Sequence, residues 1–139
     1  PPGRGTPEQG AAVYQAKCVA CHGPAGAGAS APRLVGGIGT LATKSPVRTV
    51  GSFWPYAPTV FDYIRRAMPF DRPLSLTDDE VYAVTAYLLA ADGIVPRDAV
   101  MDARTLAQVK MPNRDGFLPS DERPDTRSVR CMKECGAGR

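Results

Sequence analysis

The order of apolar and polar positions predicts three helices separated by segments too irregular for any repeating element. The clearest is "LTDDEVYAVTAYLLAADG". There Val81, Val84, Tyr87 or Leu88, and Ala91 recur at helical spacing and predict one buried face. Thr77 and Glu80 form a capping-box pattern, Asp78 and Asp79 fall at the positive end of the helix dipole, and Gly93 suits a left-handed terminator. A second helix is predicted from about Ala57 to Ala67, with Val60, Ile64 and Ala67 as its stripe and Phe61 beside it. Pro69 disfavours its continuation through Met68. The third lies in "TPEQGAAVYQAKC", where Thr6 can cap, Pro7 suits the first helical position and Glu8 the dipole. Tyr14 and Cys18 lie four apart, on one face. After Pro96, Asp102 is expected to cap a short helix in "MDARTLAQV".

What lies between is loop. "HGPAGAGASAPRLVGG" is made of small residues, suited to backbone passing close to a flat ligand. A second loop carries the only Trp. Pro1 to Gly5 show no core-forming pattern and are expected to be a loose tail, and the polar, Pro-rich segment after Pro96 is expected to be an extended arm. Composition sharpens this. The 139 residues include 14 Gly and 14 Pro, and only 7% are aromatic, so the chain buries less apolar surface than its length would allow. A large prosthetic group would fill that gap. The net charge of +3 comes from 17 basic and 14 acidic residues. It is dispersed, without a run of five like charges, so nucleic-acid binding has little support. No apolar run approaches the roughly 18 residues of a membrane span. The chain opens at Pro1 with neither a start Met nor a basic and apolar leader, and so reads as a mature or trimmed chain from which any targeting segment has been removed.

Chemistry concentrates in "CVACHG", Cys18 to Gly23, which holds the only histidine of the chain. Structural zinc would need Cys18 and Cys21 to join Cys131 and Cys135, a pair far away in an unpatterned segment. A thioredoxin-like dithiol needs a βαβ setting, and no strong strand pattern precedes Cys18. The spacing C-x-x-C-H fits a c-type haem attachment best. Two thioethers hold the porphyrin's vinyl edge, and the imidazole that follows stands over the iron. His22 is then the proximal metal ligand. With no second histidine, a methionine thioether is the leading second axial ligand. Met68, Met101, Met111 and Met132 are the candidates. Met68, in "AMPF" between two helices, comes first, and Met111, in "KMPNRDGF", shares its Met-Pro context as the alternative. Cys131 and Cys135 are spaced to allow a disulfide.

These residues resemble the class I monohaem c-type cytochromes, over about Gly10 to Ile94. The resemblance implies an all-α, small helical fold around one covalently bound haem c. It divides the chain into a flexible tail (1–9), a haem domain (10–95) and a long irregular C-terminal arm (96–139). It also implies that Pro32, in "APRLVGG", offers its carbonyl to the Nδ1 proton of His22. Leu34 becomes an apolar haem contact, Met68 the axial ligand, and "LTDDEVYAVTAYLL" the final helix. Trp54 and Tyr56 either line the haem edge or are core aromatics. Arg33, Lys44 and Arg48 either neutralise propionates or are solvated charges. Arg65 and Arg66 either meet an acidic partner or form the wet face of a helix.

"VGSFWPYAPTVFDYIRRAMPF", "DDEVYAVTAYLLAADGIV" and "VKMPNRDGF" further resemble the cytochrome subunits of molybdenum sulfite-oxidase-type complexes, sulfite dehydrogenase and sulfane dehydrogenase. The long sulfane-dehydrogenase cytochromes have a second haem domain, whereas this chain has one CxxCH and is expected to be either a one-haem relative or a fragment. That resemblance implies a periplasmic electron-transfer subunit. It would take electrons one at a time from a molybdenum-cofactor dehydrogenase subunit and pass them to a downstream acceptor such as a soluble cytochrome c. It implies no substrate chemistry of its own. The alternative is a haem sensor or peroxidase-like enzyme with an exchangeable axial ligand. The arm is expected to wrap a partner subunit, to strap the haem domain, or to trail as a disordered tail.

Overall fold

One helix organises the molecule, and its burial explains most of the rest. The computed structural model describes residues 1–118. In chain order these form β1 (Arg4–Gly5), α1 (Pro7–Lys17), α2 (Val19–His22), a 3₁₀ turn (Pro24–Gly26), α3 (Val50–Phe53), α4 (Ala57–Ala67), α5 (Asp78–Ala91), β2 (Met101–Asp102) and α6 (Ala103–Gln108). The fold is all-helical apart from one antiparallel pair of two-residue strands. No helix among the described residues is long and apolar enough to cross a membrane.

The capping chemistry read from the sequence is in place. Thr77 caps α5 with Glu80 in return. Thr6 caps α1, although its reciprocal partner is Gln9. Asp102 caps α6 through the amides of Arg104 and Thr105. α4 ends at Ala67, and Met68 turns to extended backbone before Pro69.

α5 departs from the expected single stripe. Val81 to Ala86 are all buried, and so are Leu88 and Leu89, while Ala91 is exposed. Such burial around the helix requires cover on every side. α1 packs along it most extensively, α4 lies on another side, and α3, β1 and β2 close the remainder. Phe61 of α4 meets Tyr82 of α5 with ring centroids 4.4 Å apart, and Tyr14 of α1 meets Tyr87 at 5.1 Å.

Two segments expected to lie outside the core supply that cover. The tail is not loose at residues 1–9. Arg4 and Gly5 pair with Asp102 and Met101, the Arg4 amide donates to Asp79 Oδ1 at 2.8 Å, and the Tyr82 hydroxyl donates to the Pro1 carbonyl at 2.9 Å. The arm, in its described part, packs back on the helices and buries Met101, Leu106 and Met111. Backbone pairing and isolated apolar residues carry both contacts, so no periodicity announces them.

The close approach of α1 and β1 to α5 depends on two glycines. A Cβ on Gly10 would overlap the Ala83 carbonyl, and one on Gly5 would overlap the Ala83 backbone nitrogen and Cα. The obstacle in each case is helix backbone, which cannot rotate away. The first turn of α5 is tied to the last residue of α1 by the Lys17–Glu80 ion pair, 2.6 Å long.

Two outcomes are expected. Gly10→Ala forces α1 off α5 and lowers unfolding stability by about 2 kcal/mol, the scale of overpacking a close contact, measured by denaturant titration. The Lys17 ammonium, joined by the Thr77 amide and opposed by burial, holds the Glu80 carboxyl below its ordinary value of 4.5. The stability from this pair is therefore fully present above that pH and fades as pH falls through the lowered value. The stability difference between the parent and Glu80→Gln should shrink correspondingly in acid melts.

Candidate functional site

α1 hands directly over to α2 at Cys18. The Cys18 amide closes α1 on the Tyr14 carbonyl at 2.9 Å, and the Cys18 carbonyl then accepts from Cys21 at 3.2 Å and His22 at 3.0 Å. Residues i, i+3 and i+4 of a helical turn share one face. This single turn therefore puts Cys18, Cys21 and His22 on one face. Gly23 ends it in the left-handed region (φ 73°), and the buried Tyr14 hydroxyl donates to the Gly23 carbonyl at 2.8 Å. Cys18 is half-buried and Cys21 exposed, and neither forms a disulfide among the described residues. Burial, opposed by Lys17, pushes the Cys18 thiol up to about 11. That is the opposite of the lowered pKa that marks a redox dithiol.

The small-residue loop folds back over α2. Gly28 N–H donates to the His22 carbonyl at 2.7 Å, Ala31 N–H to the Cys21 carbonyl at 2.8 Å, and Leu34 N–H to the Gly26 carbonyl at 2.9 Å. Pro32, between the last two anchors, lies with its carbonyl 2.9 Å from His22 Nδ1. A carbonyl only accepts, so Nδ1 carries the proton and Nε2 keeps a free lone pair for a metal. Downstream, Thr49 and Ser52 cap α3 reciprocally, and the Thr49 hydroxyl donates to the Gly36 carbonyl at 2.6 Å.

The remaining candidates divide. Leu34, Val35, Trp54, Met68 and Val19 pack against the core yet stay partly open. Met68, the C-cap of α4, has left the helix with φ −118° and ψ 148°. Met111 is 3% exposed and Met101 2% exposed, both packed within the core cluster. Met132, Cys131 and Cys135 lie outside the described residues. Trp54 meets Tyr63 edge to face at 5.5 Å, and Tyr56 lies under the Arg114 guanidinium at 5.3 Å. Arg33 Nε donates to the Ala27 carbonyl, Arg48 lies over the Phe53 ring, and Lys44 is exposed. Arg65 pairs with Asp78 and Arg66 with Asp62 inside the chain.

Among the described residues no group of three or more His, Cys, Asp or Glu is placed to hold a metal ion. The donor set is instead two thiols and one imidazole whose Nδ1 is engaged, beneath a loop of small residues bonded to Cys21 and His22. That set fits an iron porphyrin joined through its vinyl groups. Tyr14, Thr49 and Ser52 escaped the sequence reading as site residues. Their signals were present, as a tyrosine one turn before the first cysteine and as a T-x-x-S cap.

Residues 5–88 match the family model described as cytochrome c oxidase, cbb3-type, subunit III. The fold matches a chain of the crystal structure of the sulfane dehydrogenase SoxCD from Paracoccus pantotrophus with a TM-score of 0.84. The two are 41% identical, and the match covers 99% of this chain and 70% of that one. No curated protein sequence matches. With the one-turn thiol and imidazole site inside the matched region, the chain belongs to the cytochrome c family that includes subunit III of cbb3-type oxidases.

Proposed function

We propose that this chain is a periplasmic electron-transfer subunit carrying one haem c. The observation that carries the reading is the one-turn Cys18–Cys21–His22 face with Nδ1 held by the Pro32 carbonyl at 2.9 Å. Cys18 and Cys21 would form the thioethers, His22 Nε2 the proximal bond and Met68 the distal one. Leu34, Trp54 and Tyr56 would flank the cofactor. Bound in this way, haem c supplies a one-electron iron couple. The protein's part would be to hold the imidazole in one tautomer, to keep water off the apolar face, and to supply His22 and Met68 as ligands so that the iron is closed to substrate.

Met68 is preferred over Met111 on packing. A ligand thioether would need an open face, and Met68 is half-open, whereas Met111 is packed within the core. Likeness to the sulfane dehydrogenase chain supports the partner: a molybdenum-cofactor dehydrogenase subunit acting on a sulfur compound. Electrons would leave for a downstream acceptor such as a soluble cytochrome c.

Met68→Ala should abolish the near-infrared methionine–iron charge-transfer band of the oxidised protein, lower the midpoint potential and admit carbon monoxide to the reduced form. A parent protein that already binds carbon monoxide rapidly would overturn the electron-transfer reading in favour of a sensor or enzyme. Met111→Leu should keep the band and cost under about 1.5 kcal/mol of stability, as volume-conserving core exchanges do. A Cys18→Ala, Cys21→Ala double variant should release its haem into acidified organic solvent, whereas the parent retains it. Co-purification from the native source, with metal analysis for molybdenum, tests the partner.

A further inference from the structure

The carboxylate of Asp92 stands where electrostatics disfavours it. Asp92 is the C-cap of α5 (φ −90°, ψ 3°), at the negative end of the helix dipole, and no basic residue occupies the last turn. Its Oδ2 is buried without a hydrogen-bond partner among the described residues. Burial pushes the carboxyl above its ordinary value, opposed by the nearby Gly36 and Gly51 amides, and no charged side chain contributes. The Gly51 amide is close enough to act electrostatically but falls short of hydrogen-bond geometry. A half-buried acid with one oxygen sealed in this way calls for an explanation in what it holds.

It holds the haem-side loop. Asp92 Oδ1 accepts the Gly36 N–H at 2.6 Å, while the Gly36 carbonyl accepts from Thr49. Oδ2 lies so close to Gly51 of α3 that a Cβ there would overlap it. Gly36 is thus gripped on both sides, at a φ of 95° that glycine tolerates. It ends the segment whose earlier anchors, Ala31 on Cys21 and Leu34 on Gly26, bracket Pro32. We propose that Asp92 is a positioning residue for His22. Its carboxylate clamps Gly36 to the end of α5 and thereby fixes the Pro32 carbonyl against the imidazole Nδ1. The inference rests on the haem reading and deepens it, since a firmer acceptor at Nδ1 strengthens the imidazole as a ligand and favours the oxidised iron.

The test uses the haem-loaded full chain and compares Asp92→Ala, Asp92→Asn and, as a remote control of helix capping, Asp102→Ala. Asp92→Asn removes the charge but keeps an acceptor for Gly36. Asp92→Ala removes both. Amide exchange over residues 33–37 should quicken about tenfold or more in Asp92→Ala and stay protected in Asp92→Asn. The midpoint potential should rise further in Asp92→Ala than in Asp92→Asn, and Asp102→Ala should change neither reading. Equal exchange and equal potential in the two Asp92 variants would overturn the proposal, as would a matching potential shift in Asp102→Ala. If Asp92→Ala does not mature, the parent decides alone. Its Gly36 amide, outside any helix or strand, should exchange slowly by NMR, and exchange at the rate of an open loop overturns the clamp. A parent chain that takes up no haem would sink the functional reading itself, whereas a normal haem spectrum with unaltered exchange sinks only the role of Asp92.

Discussion

The contact between His22 Nδ1 and the Pro32 carbonyl is the constraint on which the site depends. A lone imidazole rotates about two bonds and exchanges its proton between two nitrogens. One carbonyl at 2.9 Å removes both freedoms together. The price is a closed loop between Gly23 and Gly36, which must return to α2 within a few residues. That requirement explains the run of small residues there: Gly23 and Gly28 approach so closely that a Cβ on Gly23 would sit 2.5 Å from the Gly28 carbonyl oxygen. The turn bearing the thiols is fixed from the other side by Tyr14, whose hydroxyl reaches Gly23 out of the core. The site is therefore held between the loop and α1, and α1 is held by α5.

That dependence makes the packing of α1 on α5 a functional matter as well as a structural one. Any displacement of α1 moves Cys18, which is at once the end of α1 and the start of α2. Gly5 and Gly10 let two backbones meet α5 at Ala83, and the Lys17–Glu80 pair fixes the end nearest the cysteines. The ion pair is partly exposed and by itself contributes little. The glycine contacts matter more, because they set the distance at which every apolar side chain between the helices packs.

What could be read in the sequence was what is local. CxxCH announces its chemistry because adjacent residues carry it, and the helix caps at Thr6, Thr77 and Asp102 follow from three- and four-residue patterns. The predicted span of α4, Ala57 to Ala67, matches the observed one because Pro69 and a clean apolar stripe bound it. The role of residues 1–5 was hidden, since strand pairing by backbone and the absence of a side chain at Gly5 leave no hydrophobic signal. The burial of α5 on nearly all sides was hidden for the same reason: its cover comes from segments remote in sequence. Met68 and Met111 share a Met-Pro setting; position between two helices ranks Met68 first in the sequence, and the contrast in burial between the two comes only from the tertiary fold. Asp92 reads from sequence as an ordinary helix-end acid. Its partners, Gly36 and Gly51, are separated from it by loops whose course no periodicity encodes.

The low aromatic content acquires a physical meaning from the exposure of the site. Leu34, Val35, Trp54 and Met68 reach the core but do not complete their own cover. Apolar surface left half-open in this way contributes only part of its transfer free energy to folding. A haem lying against it would contribute the remainder, so on the proposed reading folding and cofactor retention are linked. A reversibly bound group would make that contribution depend on its concentration. Attachment through Cys18 and Cys21 would remove the dependence, because the group could not leave when the surrounding structure opens. A chain with a modest core, many glycines and a loop-built site thereby has reason to place both anchors on one short helical turn, where their spacing does not depend on the loops they support.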